Sequence, residues 1–342
     1  MADPIRLGIA GFGRIVELTH LPLLKRLGEF EVAGVYDITP QRRALAAKRG
    51  FEVYDQAEAL LDAKIDAVLV ATPPSSHAEL AELALRGGKH VLIEKPVAVS
   101  AQEATRIRDI ARQEERVVTV FHNRRFDADF LLVKRLLDEG VLGSPLFVER
   151  RHHAFGSGAS FGVKSFYPQW RDERRYGGGA LLDWGVHLAD QLLRLGLGKR
   201  GSVRATMRSL WPREEEVDDF VQADMATDRN VLLSMNLNFA SALPSPMWVA
   251  GGDKATLQVA SPGEAYVYEP GKPPRQIDMG KEERQGPERI YASFADAVRH
   301  GGALAVTLDE AIETMTLLDD IRACAQQTKE REDGNLIFGT AG

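Results

Sequence analysis

The feature that most constrains this fold is a rhythm. Apolar runs at 5–10, 31–36, 65–71, 91–93 and 117–121 alternate with helical patterns. Strands that are apolar along their whole length, rather than at every second residue, need cover on both faces, and intervening helices supply it; the pattern specifies a parallel sheet between helical layers. Past residue 122 the rhythm stops. Val231, Leu233, Met235, Leu237 and Phe239 share one side of a strand whose other side carries Leu232, Ser234, Asn236 and Asn238, an alternation that marks a half-exposed strand. More strand candidates at 203–209, 217–225, 256–259 and 265–268 follow without helices between them. They predict a large, mainly antiparallel open sheet. Such a sheet commonly meets a partner subunit, so a homo-oligomer, dimer or tetramer, is expected through it. Helices are predicted at 288–300 and 307–328, the second opened by a capping box of Thr307 and Glu310, as Ser100 and Glu103 open one at 100–115.

At 342 residues the chain has room for about two domains, expected at 1–122, an α/β unit, and 123–342, an α+β unit. Lys and Arg number 43 against 49 Asp and Glu, a formal net charge of -6. No overall positive field then draws the protein to nucleic acid or to an anionic membrane. Cys324 is the only cysteine, which excludes an internal disulfide and a multi-thiolate metal site and suits a reducing compartment. No apolar run reaches the roughly 18 residues of a membrane span, and the start lacks the basic region and apolar core of a secretion signal. A cytoplasmic location is the expectation.

The first strand runs into Gly11-Phe12-Gly13-Arg14-Ile15-Val16 and then a helix. In that context Gly11 permits a tight turn and Gly13 a close approach of backbone to a pyrophosphate, whose charge meets the free N–H groups of the helix start. Val16 stands where a third glycine is usual, which predicts wider packing of helix on strand. Asp37 ends the second strand about 24 residues beyond Gly13, near the spacing of an acid that holds an adenosine ribose. A carboxylate there repels a 2′-phosphate and favours NAD over NADP, whereas Arg42 and Arg43 offer a site for that phosphate. The alternative for Asp37 is an ordinary strand end before a turn.

Two further stretches carry chemistry. Glu94-Lys95-Pro96 closes the fourth apolar run, and proline, which lacks an N–H and holds its predecessor extended, leaves Lys95 at a strand tip, where open α/β sheets hold ligands. Thr72-Pro73 closes the third run, and His77 stands in the first turn of the next helix. Farther on, Gly177-Gly178-Gly179 precedes a helix with Asp183 and His187 four apart. That spacing makes them neighbours, so the carboxylate can orient the imidazole as a general base. A metal site using His152 or His153 is disfavoured, because adjacent strand residues point to opposite faces.

The glycine loop, Asp37, Ala71-Thr72-Pro73, Glu94-Lys95-Pro96 and Gly178-Gly179-Ala180-Leu181-Leu182-Asp183-x-x-x-His187 resemble, in order and spacing, the glucose–fructose oxidoreductase/inositol dehydrogenase/MocA family along essentially the whole chain. The resemblance implies an N-terminal Rossmann domain, a C-terminal α+β domain whose open sheet builds the oligomer, and a cleft where Lys95, Asp183 and His187 act beside a nicotinamide. His122 to Phe130 and Trp170-Arg171 look most like the scyllo-inositol dehydrogenase-type branch. An NAD(P)-dependent oxidoreductase acting on a secondary alcohol of a sugar or cyclic polyol is therefore expected. Gly11, Phe12, Gly13, Arg14, Ile15, Asp37, Arg42, Thr72, Pro73, His77, Glu94, Lys95 and Asn123 are expected at the dinucleotide. Lys95, Asn123, Arg124, His153, Trp170, Arg171, Tyr176, Asp183 and His187 are expected at the substrate. Two rivals are a reductase of a nucleotide-sugar ketone and a ligand-sensing regulator that lost the chemistry; the presence of both lysine and histidine argues against the regulator.

Overall fold

The computed structural model describes residues 3–156, 169–211, 217–279 and 286–338. Strands β1 (Ile5–Ala10), β2 (Phe30–Tyr36), β3 (Val53–Tyr54), β4 (Ala67–Val70), β5 (His90–Ile93) and β6 (Val118–Val120) form one sheet in the order β3-β2-β1-β4-β5-β6. All its pairings are parallel. Helices α1 (Leu21–Leu27), α2 (Pro40–Lys48), α3 (Ala57–Asp62), α4 (His77–Arg86) and α5 (Ala101–Gln113) link the strands, and Leu7, Ile9, Leu69, Val70, Leu92 and Ile93 between them are buried. The continuous apolar runs are thus explained by cover on both faces. The strand order reverses between β1 and β4, which opens a crevice at their C-terminal ends. The two-residue β3 left no readable period. The Ser100 cap is present, with the Glu103 N–H donating to Ser100 Oγ at 3.2 Å, while Glu103 Oε2 accepts from Val99 N–H at 3.2 Å.

The second sheet contains β7 (Pro145–His153), β8 (Arg200–Arg208), β9 (Phe220–Thr227), β10 (Leu232–Asn238), β11 (Trp248–Gly252), β12 (Thr256–Ser261), β13 (Glu264–Tyr268) and β14 (Arg275–Ile277). Its order is β14-β13-β12-β11-β7-β10-β9-β8, antiparallel except where β10 runs parallel to β7. One face is buried under α7 (Val186–Leu193) and, where Asp129 and Phe130 meet Trp248, under α6 (Ala128–Asp138). Val148, Arg150, Met235, Leu237, Trp248 and Leu257 point into that layer. The other face carries Glu149, Arg151, Ser234, Asn236 and Gln258, less deeply buried.

The chain then returns to the first sheet. On α8 (Glu288–His300), Tyr291 and Phe294 meet Phe30 with ring centroids 5.4 and 6.3 Å apart. The final helix, α9 (Leu308–Phe338), lies against both α5 and β8. Its capping box is reciprocal: Glu310 N–H donates to Thr307 Oγ1 at 3.3 Å and Thr307 N–H to Glu310 Oε2 at 3.0 Å. Met315, Leu318 and Ile321 are buried along its inner line. Among the described residues no helix is long and apolar enough to cross a membrane.

Candidate active site

The chain leaves β1 through Gly11 at φ +94°, where a Cβ would stand 2.7 Å from the Ala71 carbonyl oxygen. Only glycine fits that approach. At Gly13 the opposite holds: a Cβ would meet nothing within 4 Å, so the backbone faces open space at the start of a helix. The helix begins as a π-turn, Val16–His20, in which the Leu21 N–H reaches Val16 O. Buried Val16 is thus accommodated in a wider ring where a glycine would pack closely. Phe12 points into the core against Phe51, with ring centroids 5.9 Å apart, whereas Arg14 and Ile15 are exposed at the crevice.

Asp37 braces this turn. Its Oδ2 accepts from the Phe12 N–H and its Oδ1 from the Thr39 N–H, each at 2.7 Å. Arg43 donates to the Asp37 and Ile38 carbonyls at 2.7 and 3.1 Å. Arg42 instead faces Glu17, 3.8 Å away. An open cradle at Gly13, unblocked helical N–H groups and an acid at the end of β2 fit a bound dinucleotide.

The neighbouring strand tips are tied to one another. His77 places Nδ1 2.7 Å from Pro96 O and Nε2 2.8 Å from Thr72 O. The Ser76 hydroxyl lies 2.7 Å from Thr72 Oγ1 and 3.0 Å from Pro73 O, donating within the same turn. The Glu94 carboxylate turns inward, Oε1 lying 2.8 Å from His20 Nε2 and Oε2 accepting from the Lys95 N–H at 3.0 Å. Glu94 and His77 therefore shape the crevice, and their side chains do not line it as the sequence reading expects.

Across the crevice lies the turn that carries Asp183. Gly177 packs so closely that a Cβ would stand 2.9 Å from Pro74 Cβ, and at Gly178 one would stand 2.6 Å from the Trp170 and Arg171 carbonyls. This is the physical content of the glycine run. It lets segment 170–180 lie directly over the first sheet's strand tips, delivering Asp183 to Lys95. The Lys95 ammonium donates to the Asp183 carbonyl at 2.6 Å and to its Oδ1 at 3.1 Å, and Arg171 Nε donates to Oδ2 at 3.0 Å. Burial alone would raise the Asp183 carboxyl, but the charges of Lys95 and Arg171 outweigh it and hold the group below its ordinary range.

The four-residue spacing predicts a bond between Asp183 and His187. Instead, both carboxylate oxygens are taken by cations, and His187 Nδ1 is buried with no hydrogen-bond partner. A buried carboxylate is stabilised more by full charges than by a neutral imidazole. Asp183 thus positions Lys95 rather than His187. His187, 5 % exposed, is pushed well below its usual value by burial and then by the charges of Lys95 and Arg124. It is neutral at neutral pH.

Trp184, between the two, is covered on both faces: His152 stacks 3.6 Å away at 12°, and the Arg124 guanidinium lies 4.4 Å from the ring centroid. Arg124 is further held by Asp127 at 2.9 Å. His153 is not part of this cluster. It lies on the opposite face of β7, with Nε2 2.5 Å from Asn236 Oδ1, because strand residues alternate and His152 takes the inner position. Arg171 is brought to the site, its guanidinium over the Trp170 ring at 4.3 Å. Tyr176 sits under Arg175 at 4.8 Å where the segment meets Pro74, and Asn123 starts the turn after β6.

Sequence reasoning missed the buried groups behind the site. Arg125 grips Asp190 at 2.7 and 2.6 Å, and His122 Nδ1 lies 3.7 Å from Asp190 Oδ2. Burial takes His122 down to about 4. The available signal was Asp190-Gln191 inside the apolar stretch 186–193, whereas His122 and Arg125 sit in a polar run and meet Asp190 from 65 or more residues away.

Residues 5–122 match the model of the oxidoreductase family with an NAD-binding Rossmann fold, and residues 130–258 that of the GFO/IDH/MocA C-terminal domain. The chain is 29% identical to the uncharacterized oxidoreductase YdgJ of Escherichia coli, covering 93% of this chain and 96% of that protein. It is 26% identical to the scyllo-inositol 2-dehydrogenase (NADP(+)) IolW of Bacillus subtilis, covering 96% and 95%. Among solved structures, an NAD-binding protein from Listeria innocua superposes with a TM-score of 0.84 at 29% identity, covering 95% and 96%. With both sheets, the glycine turn and the Lys95–Asp183 pair in place, the chain belongs to the Gfo/Idh/MocA family of NAD(P)-dependent oxidoreductases.

Proposed function

We propose that this protein oxidises a secondary alcohol of a sugar or cyclic polyol to a ketone, reversibly. The observation that carries the reading is the meeting of Lys95, at the tip of β5, with Asp183 one helical turn before a neutral, buried His187. NAD(P), when bound, supplies the hydride acceptor. His187 takes the hydroxyl proton at Nε2, since Nδ1 is fully buried. Lys95 donates to the same oxygen, favouring the developing alkoxide, and its charge keeps His187 neutral and able to accept until the proton arrives. Asp183 holds the ammonium in place, and Arg171 supplies the second cation that keeps the carboxylate ionised.

Asn123, Arg124, Trp170, Arg171 and Tyr176 are assigned the reading of substrate hydroxyl groups, by their polarity and their nearness to the site in the chain. The sugar-like substrate is supported by the name of the Bacillus subtilis relative, a scyllo-inositol dehydrogenase. Asp37 at the 2′-position of the ribose favours NAD, although that relative's name specifies NADP(+). The division into a dinucleotide unit at 1–122 and a substrate unit at 123–342, the cytoplasmic location, and a homo-oligomer built through the open sheet belong to the same reading. A panel of polyols and sugars with NAD and NADP, followed by absorbance of the reduced nicotinamide, tests it. Turnover with at least one polyol and faster reduction of NAD are expected; no turnover across the panel overturns the reading.

A further inference from the structure

We propose that Tyr291, His20 and Glu94 form a positioning relay for Lys95, buried behind the reacting groups. The proposal rests on the dehydrogenase reading. The relay draws on widely separated parts of the chain. Tyr291 comes from α8, 271 residues after His20; His20 ends the π-turn that follows the glycine loop; Glu94 closes β5 immediately before Lys95. His20 Nδ1 lies 2.7 Å from the Tyr291 hydroxyl, His20 Nε2 lies 2.8 Å from Glu94 Oε1, and Glu94 Oε2 accepts from the Lys95 N–H at 3.0 Å.

The contacts are mutually compatible as one hydrogen-bonded chain. The Tyr291 hydroxyl donates to Nδ1, the Nε2–H donates to the carboxylate, and the Lys95 N–H donates to the other carboxylate oxygen. His20 and Tyr291 are 0 % exposed and Glu94 is 6 % exposed. Aromatic rings wall the chain, Phe121 lying 4.5 Å from the His20 ring and 5.9 Å from the Tyr291 ring.

Burying a carboxylate among aromatic rings is a poor way to gain stability, since well-packed apolar residues do as well or better. What a fully satisfied buried network adds is a single geometry. Here that geometry is imposed on the peptide from which the Lys95 side chain reaches Asp183. The first helix after the glycine turn is therefore tied through His20 to the backbone of the lysine that acts on substrate. A displacement of about 1 Å at a reacting group costs on the order of 100-fold in rate, which is what the relay prevents.

The test compares Tyr291→Phe, His20→Gln and His20→Leu with the wild type in the full chain. Phenylalanine removes only the hydroxyl, glutamine keeps an N–H for Glu94, and leucine leaves the carboxylate unpaired. Expected are a fall in kcat of about tenfold for Tyr291→Phe and about 100-fold for His20→Leu, with KM for the dinucleotide within about twofold of wild type. His20→Gln should recover to within about threefold of wild type. Should His20→Leu fail to fold, the isosteric Tyr291→Phe and the His20→Gln rescue decide the matter. Lower melting temperatures with kcat per folded enzyme unchanged would make the chain a structural support and overturn the proposal. If the wild type turns over nothing on the panel, the dehydrogenase reading fails by itself, and hydrogen exchange of the 93–97 peptide judges the relay. Faster exchange in Tyr291→Phe with protection kept in His20→Gln supports it, and equal exchange in all proteins overturns it.

Discussion

Lys95 and Asp183 are 88 residues apart in sequence, yet the lysine ammonium lies 2.6 Å from the aspartate's carbonyl oxygen and 3.1 Å from its carboxylate. The first comes from the tip of a parallel strand, the second from a π-turn in the other half of the chain. Their contact joins the two halves of the chain at the crevice and brings a positive charge near a neutral imidazole. The reaction chemistry proposed for the chain depends on it.

Removing that charge should abolish most of the rate and little of the cofactor affinity. Lys95→Met is expected to lower kcat/KM by about 1,000-fold, comparable to the loss of a preorganised electrostatic donor. The dinucleotide dissociation constant, followed by tryptophan fluorescence, should stay within about threefold, because the glycine turn and Asp37 are untouched. Turnover close to wild type in this variant removes Lys95 from the mechanism.

The pH dependence of alcohol oxidation follows from His187. Its protonated form cannot accept the substrate proton, so the rate falls as pH drops through its folded-state pKa. Burial, then Lys95 and Arg124, keep that value well below 6.5, so the acid limb of kcat/KM should lie below pH 6.5. Arg124→Gln deletes one of the cations and should move the limb to higher pH. A limb at or above 6.5 in the wild type contradicts a neutral, buried base.

Acid should also destabilise the fold before the carboxylates titrate. His122 is lowered to about 4 by burial, so between that pH and its unfolded value near 6.5 the unfolded chain binds the extra proton. Stability from this group is complete above about 6.5 and is lost as pH falls toward 4. The full fall corresponds to on the order of 3 kcal/mol, and the lowered values of His77, His152 and His187 act in the same direction. Urea denaturation at a series of pH values should show the decline, shallower in His122→Gln; the same slope in both proteins would be evidence against a buried neutral His122.

The two glycines of the first turn should fail differently on substitution. Gly11→Ala puts a Cβ 2.7 Å from a main-chain oxygen at φ +94°, so loss of stability is expected together with loss of dinucleotide binding. Gly13→Ala meets nothing within 4 Å, so its melting temperature should match the wild type while dinucleotide affinity falls at least about tenfold, because the new methyl fills the cradle. Tight dinucleotide binding by Gly13→Ala would show that the pyrophosphate lies elsewhere.

The local features were legible in the sequence. Each is set by a few neighbouring residues: the alternation of buried strands with helices, the glycine turn after β1, the caps at Ser100 and Thr307, and the placing of Lys95 at a strand tip by Pro96. Backbone sterics, hydrogen bonding and periodicity dictate those over ten residues or fewer, whatever the rest of the chain does. The partners of buried charges were decided only by tertiary structure. Asp183 faces Lys95 and Arg171 rather than His187, His152 rather than His153 faces the helix at the site, and Glu94 turns from the cofactor crevice to His20. A buried carboxylate takes whichever opposite charge or donor the packing of distant segments brings within 3 Å or so, and the local sequence cannot specify that choice.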